Sequence, residues 1–361
     1  MAEDFFETTP EWSAPVPEGA VVALAGEHVV WYDPTGSIGV LDSSGAEVWS
    51  EEVEPFGYVE DGDIGARIRV VDERTVALVQ VGRTDPEPPN DPQSVYRAWL
   101  YDVASGRVGE PVDASPTDGF HMSDHGLAFF ALDGENQPSP RFGSITVSAA
   151  GEVTEHEPTE DTLAGTPVHQ TPHMTVGDTP VLYIQGEWEP YTTDPVEGDF
   201  DRGFGGEGWN SMDVAPSSAP DDGEDAAVVA VVGDRLIARW HETGGDGSND
   251  VFALMDPVSG ELVSELSCSG EDFCTEAGGP VEFRSVDGEG RWFGDIGDIG
   301  AEVEDGEVEV DTEVVMVGVD GEAVTAPIEA GAHAPIGFLE GDLAVHHDRD
   351  SGLVTANRLK I

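Results

Sequence analysis

The chain of 361 residues carries 74 acidic and 15 basic side chains, a formal charge of -59, and Lys360 is its one lysine. This balance argues against nucleic acid and anionic membrane surfaces as partners, because both need a basic face to offset their own charge. It does not argue for disorder: mean hydropathy is only -0.25, and apolar residues arrive in short alternating runs between Gly, Asp and Pro. Such an acidic surface reads as solubility in high salt or as an acidic genomic background, or else as a face for a cationic partner or divalent ions.

From the start, Met1 to Pro10 has neither the basic head nor the apolar stretch of a signal peptide, and no run approaches bilayer-spanning length. A soluble protein or a trimmed ectodomain, without direct membrane insertion and without its signal or anchor segment, is expected. Residues 11–16, around Trp12, belong to no obvious repeat. Ala20 to Glu52 then reads as four short strands: Ala20–Leu24, His28–Tyr32, Ser37–Asp42 and Glu47–Trp49, separated by Gly26-Glu27 and Ser43-Ser44-Gly45 turns. Short β-branched and aromatic runs bounded by turn formers are strand signatures.

The same order recurs. Tight turns between first and second strands fall at Asp72-Glu73, Asp124-His125-Gly126, Gly177-Asp178, Gly233-Asp234, Gly288-Glu289-Gly290 and Gly341-Asp342. With Gly26-Glu27 these make seven, at the spacing of propeller blades. A second hairpin repeats as Asp42 to Gly45, Asp102 to Gly106 and Asp256 to Gly260, where Asp accepts backbone N–H groups and Gly takes positive φ. The fourth repeat is the weakest: Val181–Ile184 and Asn210–Val214 read as strands, and its fourth strand must follow Ala215. The last repeat ends with Leu353 to Leu359 as a third strand, so residues 1–16 are expected to supply its missing fourth strand and close the ring. The expected architecture is all-β: a single propeller over 1–361 with about seven four-stranded blades.

Leu41-Asp42-Ser43-Ser44-Gly45-Ala46-Glu47-Val48-Trp49 resembles the PQQ-like propeller repeat, with an apolar pair, Asp, small residues, Gly and an outer-strand Trp. The resemblance implies that Trp49 packs between neighbouring blades. Quinoprotein dehydrogenases of that family have eight blades, a calcium ion and adjacent cysteines beneath the quinone. This chain is shorter and lacks the adjacent cysteines, so the resemblance points to the non-catalytic members, which act as scaffolds or binding ectodomains of the bacterial envelope.

The candidate chemistry is sparse. Long segments at 82–94, 134–143, 186–208, 242–250 and 294–309 join second to third strands and so gather on one face, where partner contacts are expected. Segment 186–208 is the richest, with Trp188, Tyr191, Phe200 and Phe204 among acids and Trp209 just beyond. These rings are candidates for partner binding, or else they staple the loop to its own blade. His121, His169, His173 and His333 fall near inner strands as candidate channel-lining residues, with no ligand spacing that assigns a metal. Cys268 and Cys274 are candidates for a small disulfide ring, which would imply an oxidising, extracytoplasmic compartment. No nucleophile elbow, phosphate-binding Gly-rich loop or zinc-protease motif occurs.

The sequence reading is therefore a non-enzymatic, monomeric binding or scaffold propeller of the cell envelope with a protein or carbohydrate partner. No cofactor is expected, although calcium-loop fragments occur near 245–250 and 348–352. The alternative is a hydrolytic propeller acting on carbohydrate through channel-mouth carboxylates.

Overall fold

The computed structural model describes residues 5–54, 56, 66–83, 94–113, 120–123, 126–131, 144–156, 159–163, 166–170, 174–183, 204–206, 209–210, 225–232, 235–241, 251–256, 259–267, 282–297, 303–304, 307–308, 312–319, 323–327, 334–349 and 351–360. Among them every regular element is a strand, and the strands form antiparallel sheets set side by side in chain order, as in a β-propeller.

Strand β1 (Trp12–Pro15) opens the chain. Sheet 1 follows with β2 (Val21–Ala25), β3 (His28–Asp33), β4 (Ser37–Leu41) and β5 (Glu47–Glu52). Sheet 2 holds β6 (Ala66–Val70), β7 (Thr75–Arg83), β8 (Ser94–Asp102) and β9 (Gly106–Asp113). Sheet 3 holds β10 (Phe120–Met122), β11 (Ala128–Ala131), β12 (Ser144–Val147) and β13 (Val153–His156). A separate hairpin, β14 (Thr159–Leu163) with β15 (Thr166–Gln170), precedes sheet 4, which is β16 (Met174–Val176), β17 (Thr179–Tyr183), β18 (Phe204–Gly206) and β19 (Trp209–Asn210).

Sheet 5 is β20 (Asp225–Val232), β21 (Arg235–His241), β22 (Val251–Met255) and β23 (Leu262–Ser267). Sheet 6 has β24 (Glu282–Val286) and β25 (Trp292–Gly297), then a small hairpin of β26 (Val303–Glu304) and β27 (Glu307–Val308), then β28 (Thr312–Val317) and β29 (Ala323–Pro327). The remaining strands β30 (Gly337–Leu339), β31 (Leu343–Asp348) and β32 (Leu353–Arg358) share a sheet with β1, in the order β1-β32-β31-β30.

The count of seven tight turns therefore overstates the self-contained repeats. Six blades are each built within one stretch of chain, and the remaining sheet is composite, with Trp12 opposite Ala356 and Pro15 opposite Leu353. The fourth blade also needs correction. Its third and fourth strands are Phe204–Gly206 and Trp209–Asn210, with Gly206 opposite Trp209, earlier than the Asn210–Val214 strand that apolar runs suggested. Only Glu207-Gly208 separates them, and a two-residue Gly-containing connection is the preferred hairpin geometry. Hairpin β14–β15 lies between the third and fourth sheets in chain order, where the sequence reading had put His169 near an inner strand of the fourth repeat.

Second and third strands are buried on both faces, because a neighbouring sheet covers each side. They accordingly read as unbroken apolar runs, such as Val251–Met255, buried throughout. Strands β2 and β5, the first and fourth of sheet 1, keep a partly or alternately exposed pattern, whereas β16, first in sheet 4, is buried throughout. The core is split into layers between sheets. Val30, Tyr32 and Val40 of sheet 1 pack on Ile68, Leu78 and Tyr101 of sheet 2. Trp240 and Met255 of sheet 5 pack on Met174 and Val176 of sheet 4. Leu343, Val345 and Val354 of the composite sheet pack on Ala20, Val29 and Trp31 of sheet 1.

The N-terminal arm does more than supply β1. Phe5 and Phe6 are fully buried with Phe293 and Met316 of sheet 6 and Ala344 of the composite sheet. Phe6 forms an isolated bridge with Leu359, Glu7 N–H donates to the Arg358 carbonyl at 2.9 Å, and Asn357 Nδ2 donates to the Glu7 carbonyl at 2.8 Å. An adjacent Phe pair in the otherwise polar opening of the chain was the sequence signal for this contact.

Candidate functional site

The hairpins joining third and fourth strands do the structural work expected of their Asp residues. Asp42 Oδ1 accepts the N–H groups of Ser44 and Ala46 at 2.8 and 3.0 Å, and the Ser44 hydroxyl, the leading cause, holds its carboxyl below the usual value. Asp102 accepts from Ala104 N–H and the Ser105 hydroxyl, and that hydroxyl chiefly lowers its pKa. Asp256 takes Ser259 N–H and pairs with Arg235. The first two of these hairpins then offer their next carbonyl to the preceding sheet. Trp49 Nε1 donates to the Val103 carbonyl at 2.9 Å, and Trp12 Nε1 donates to that of Ser43 at 2.8 Å. Trp49 thus packs between blades as the PQQ-like resemblance implied.

The groove between the outer strands of sheets 1 and 2 is the richest polar and aromatic cluster among the described residues. Trp49 stacks on Tyr101 with centroids 5.4 Å apart. The Arg107 guanidinium lies 4.1 Å from the Trp99 ring centre and pairs with Glu51 at 2.6 Å. Burial, followed by the Glu51 charge, pushes the Tyr101 phenol well above its usual value, so it stays protonated. Farther along β8, Arg97 lies 4.1 Å above the Phe56 ring and pairs with Asp113 at 2.7 Å. Residues 97, 99 and 101 share one face because side chains alternate along a strand. The cluster pairs each of its two arginines with a carboxylate, around a fully buried Tyr101.

At the opposite end of the blades, second-strand polar side chains bolt down the incoming connections. Gln80 is fully buried; its Nε2 donates to the Glu54 carbonyl at 2.6 Å and its Oε1 accepts from Trp99 Nε1 at 2.8 Å. Asp295 plays the matching part in sheet 6, accepting Ala334 N–H at 2.5 Å and pairing with Arg284 at 2.7 Å. Both face the first residue of their inner strands, Ala66 and Glu282. A buried carboxylate and amide would ordinarily attract a catalytic reading, but here both have internal partners that fix the backbone.

The most regular surface feature lies on the outer strands. Val48, Val108, Val153, Leu262, Val263 and Val324 are 37–54% exposed, each two or three residues beyond its hairpin Gly. Acidic side chains such as Glu47, Glu110, Glu152 and Glu265 interleave with them. Half-exposed apolar residues thus recur on the outer strands of sheets 1, 2, 3, 5 and 6.

Of the residues singled out from sequence, Phe204 is placed in β18 and Trp209 in β19, so that Phe204 is a strand residue rather than part of the long segment. Trp188, Tyr191 and Phe200 lie outside the described residues, as do His173, His333, Cys268 and Cys274. His121 is in β10, an inner strand, whereas His169 is in β15 of the extra hairpin; that hairpin, rather than an inner strand of the fourth blade, accounts for its position. Among the described residues no group of three or more His, Cys, Asp or Glu side chains could hold a metal, and no helix is long and apolar enough to cross a membrane.

No protein-family profile matches the chain, and no curated protein is similar to it. Among solved structures it resembles BamB from Moraxella catarrhalis at 12% identity and TM-score 0.32, over 97% of this chain and 99% of that one. The β-propeller domain of the Trilobed protease from Pyrococcus furiosus is similar at 11% identity and TM-score 0.37, over 94% and 90%. Raptor from Chaetomium thermophilum is similar at 7% identity and TM-score 0.33, over 99% of this chain but 30% of its own. At these values the likenesses carry no weight for function, and the propeller arrangement rests on strand order and register.

Proposed function

We propose that the chain is a non-enzymatic interaction module of the cell envelope, a propeller that presents its rim and long-loop face to a protein partner. The observation that carries this reading is the recurrence of half-exposed apolar residues, interleaved with acids, on the outer strands of five sheets. Their recurrence at one register of the outer strands, between acids, gives a partner the same alternating pattern on each of these sheets. The polar clusters of the blades serve packing in this reading, with Gln80 and Asp295 tying down connections.

The composite sheet is read as the closing blade of a seven-membered ring, supported by the β1–β32 pairing and the apolar layer shared with sheet 1. The segment 186–208, with Trp188, Tyr191, Phe200 and Phe204, and nearby Trp209, is proposed as a second contact region on the long-loop face. Its anionic surroundings favour a cationic, calcium-bridged or neutral polyhydroxyl group over an acidic one. An extracytoplasmic setting with a bond between Cys268 and Cys274 belongs to the same reading.

Photo-cross-linking in intact envelopes tests it. A photoreactive residue at Val108 or Val153 is expected to capture one partner, while the same probe at buried Val30 captures none. Capture that is equal at all three positions would remove the rim from the proposal.

A further inference from the structure

The N-terminal arm is anchored twice, and the two anchors are built differently. Strand β1 pairs along β32, flanked by the Glu11 and Val16 N–H groups on the Ala356 and Gly352 carbonyls. Phe5 to Glu7 form a separate strap. Lys360 N–H donates to the Phe5 carbonyl and Glu7 N–H to that of Arg358, while both Phe rings are buried against Phe293, Met316 and Ala344. Between the anchors, residues 7–11 cover the interval that Asn357 and Arg358 cover on β32, and Glu7, Thr8, Thr9 and Glu11 stand exposed. With that slack the strap can lift while β1 stays paired.

The strap also leaves its seat incompletely satisfied. Asn357 is 1% exposed and lies opposite Ala344, a member of the layer that holds both rings. Its Nδ2 is fixed on the Glu7 carbonyl, which settles the orientation of the amide, and its Oδ1 is buried without a donor. A phenylalanine ring has none to offer. An unmet buried acceptor counts against the occupant that leaves it so.

We propose that this seat, between sheet 6 and the composite sheet, is a docking site for an extended segment of a partner protein carrying two adjacent aromatic residues, at least one of them tyrosine. Phe5 to Glu7 are its displaceable internal occupant. Pairing with the backbone of 358–360 and burial of two rings supply the affinity, as the strap itself demonstrates, and the phenol supplies the donor that Asn357 Oδ1 lacks. Being tethered, the strap competes at high effective concentration, so that only a segment with the added hydrogen bond displaces it. The site is separate from the outer-strand rim and does not rest on that reading.

Hydrogen exchange of the full chain is expected to release the Glu7 and Lys360 amides at least about tenfold faster than those of Glu11 and Val16. Equal rates would mean that the arm lifts only as one piece and would overturn the proposal. Docking is read by isothermal titration with two uncharged, end-blocked peptides, Thr-Thr-Tyr-Tyr-Thr-Thr and its Phe-Phe twin. The tyrosine peptide is expected to bind at least about tenfold more tightly than the twin. Both should gain about tenfold on Glu7→Pro, which removes one strap bond without altering the buried rings. Asn357→Leu is expected to erase the preference for tyrosine; should that variant not fold, the peptide comparison on the parent and Glu7→Pro decides alone. Equal binding of the two peptides, or no gain on Glu7→Pro, would overturn the proposal. Cross-linking from Val108 and Val153 reports on the rim alone, so either reading can fail without the other.

Discussion

Trp12 and Ser43 repeat, across the joint between the two chain ends, the contact that Trp49 and Val103 make inside the chain. In each case an outer-strand indole donates to the carbonyl that directly follows a hairpin Asp, at 2.8 Å for Trp12 and 2.9 Å for Trp49. Gly45 makes room for the first of these. A Cβ there would sit 2.5 Å from the Trp12 ring, at φ 77°. Replacing Trp12 by Ala is expected to cost about 2–3 kcal/mol in denaturant unfolding, less than for a fully buried Trp because its ring is half-exposed. Gly45→Ala is expected to cost at least about 1–2 kcal/mol from backbone strain alone. In the double variant the combined loss should fall short of the sum of the two, since the added methyl no longer meets an indole.

Asp295 joins three pieces of chain: its own strand β25, Arg284 of β24, and the Ala334 amide that leads into β30. Removing the carboxylate takes an ion-pair partner from Arg284 and the acceptor from a buried N–H at once. Asp295→Ala is expected to destabilise by about 2–3 kcal/mol, moderated by the partial exposure of Arg284. Asp295→Asn should recover part of this, because the amide oxygen still accepts from Ala334. An equal loss in both variants, measured by equilibrium unfolding, would show that charge rather than backbone anchoring is what Asp295 supplies.

Burial lowers the pKa of His347 below its ordinary value of 6.5; neighbouring Asp348 opposes this shift and Arg349 adds to it. A depressed His makes a contribution that is complete above the unfolded value. As pH falls below 6.5 the unfolded chain takes up the proton first, so stability is lost down through the folded pKa. His347→Gln is expected to flatten the decline between about pH 6.5 and 5 relative to the parent protein. A parallel decline in both proteins would show that His347 is not its source.

With 74 acidic groups against 15 basic ones, folding gathers like charges that repel more strongly than in the expanded chain. Screening shortens that repulsion to roughly 3 Å at 1 M salt. The melting temperature is expected to rise steadily from about 0.1 to 2 M KCl and to rise similarly with NaCl, since the effect is one of screening. A flat profile would mean that the acidic surface is already balanced locally, as it is at Glu51 and Asp113 by Arg107 and Arg97.

Much of the fold was legible because its signals are local. Hairpins such as Asp42 to Gly45 and Asp102 to Gly106 carry their geometry in a few residues, and Trp49 announced its docking role through its place after that turn. The fourth blade was misread because β18 and β19 are too short, at Phe204–Gly206 and Trp209–Asn210, to rise above the surrounding Gly and acids. Gln80 and Asp295 could not be picked out, since each acts on backbone that sequence places 26 and 39 residues away. Phe5 and Phe6 were passed over for a similar reason: Phe6 meets Phe293 and His346, which belong to the other end of the chain.

The central claim is that strand β1 completes the last sheet of the propeller that carries the proposed partner-binding rim, and thermal unfolding of residues 17–361 beside the full chain tests it most directly. Loss of β1, of the Trp12 contact and of the buried Phe5 and Phe6 opens an edge on β32 and a hole between sheet 6 and the composite sheet. The account predicts a melting temperature lower by about 5 °C or more, a few kcal/mol at about 1–2 °C per kcal/mol for a domain of this size, with a broadened transition. An unchanged melting temperature in the truncated protein would contradict it.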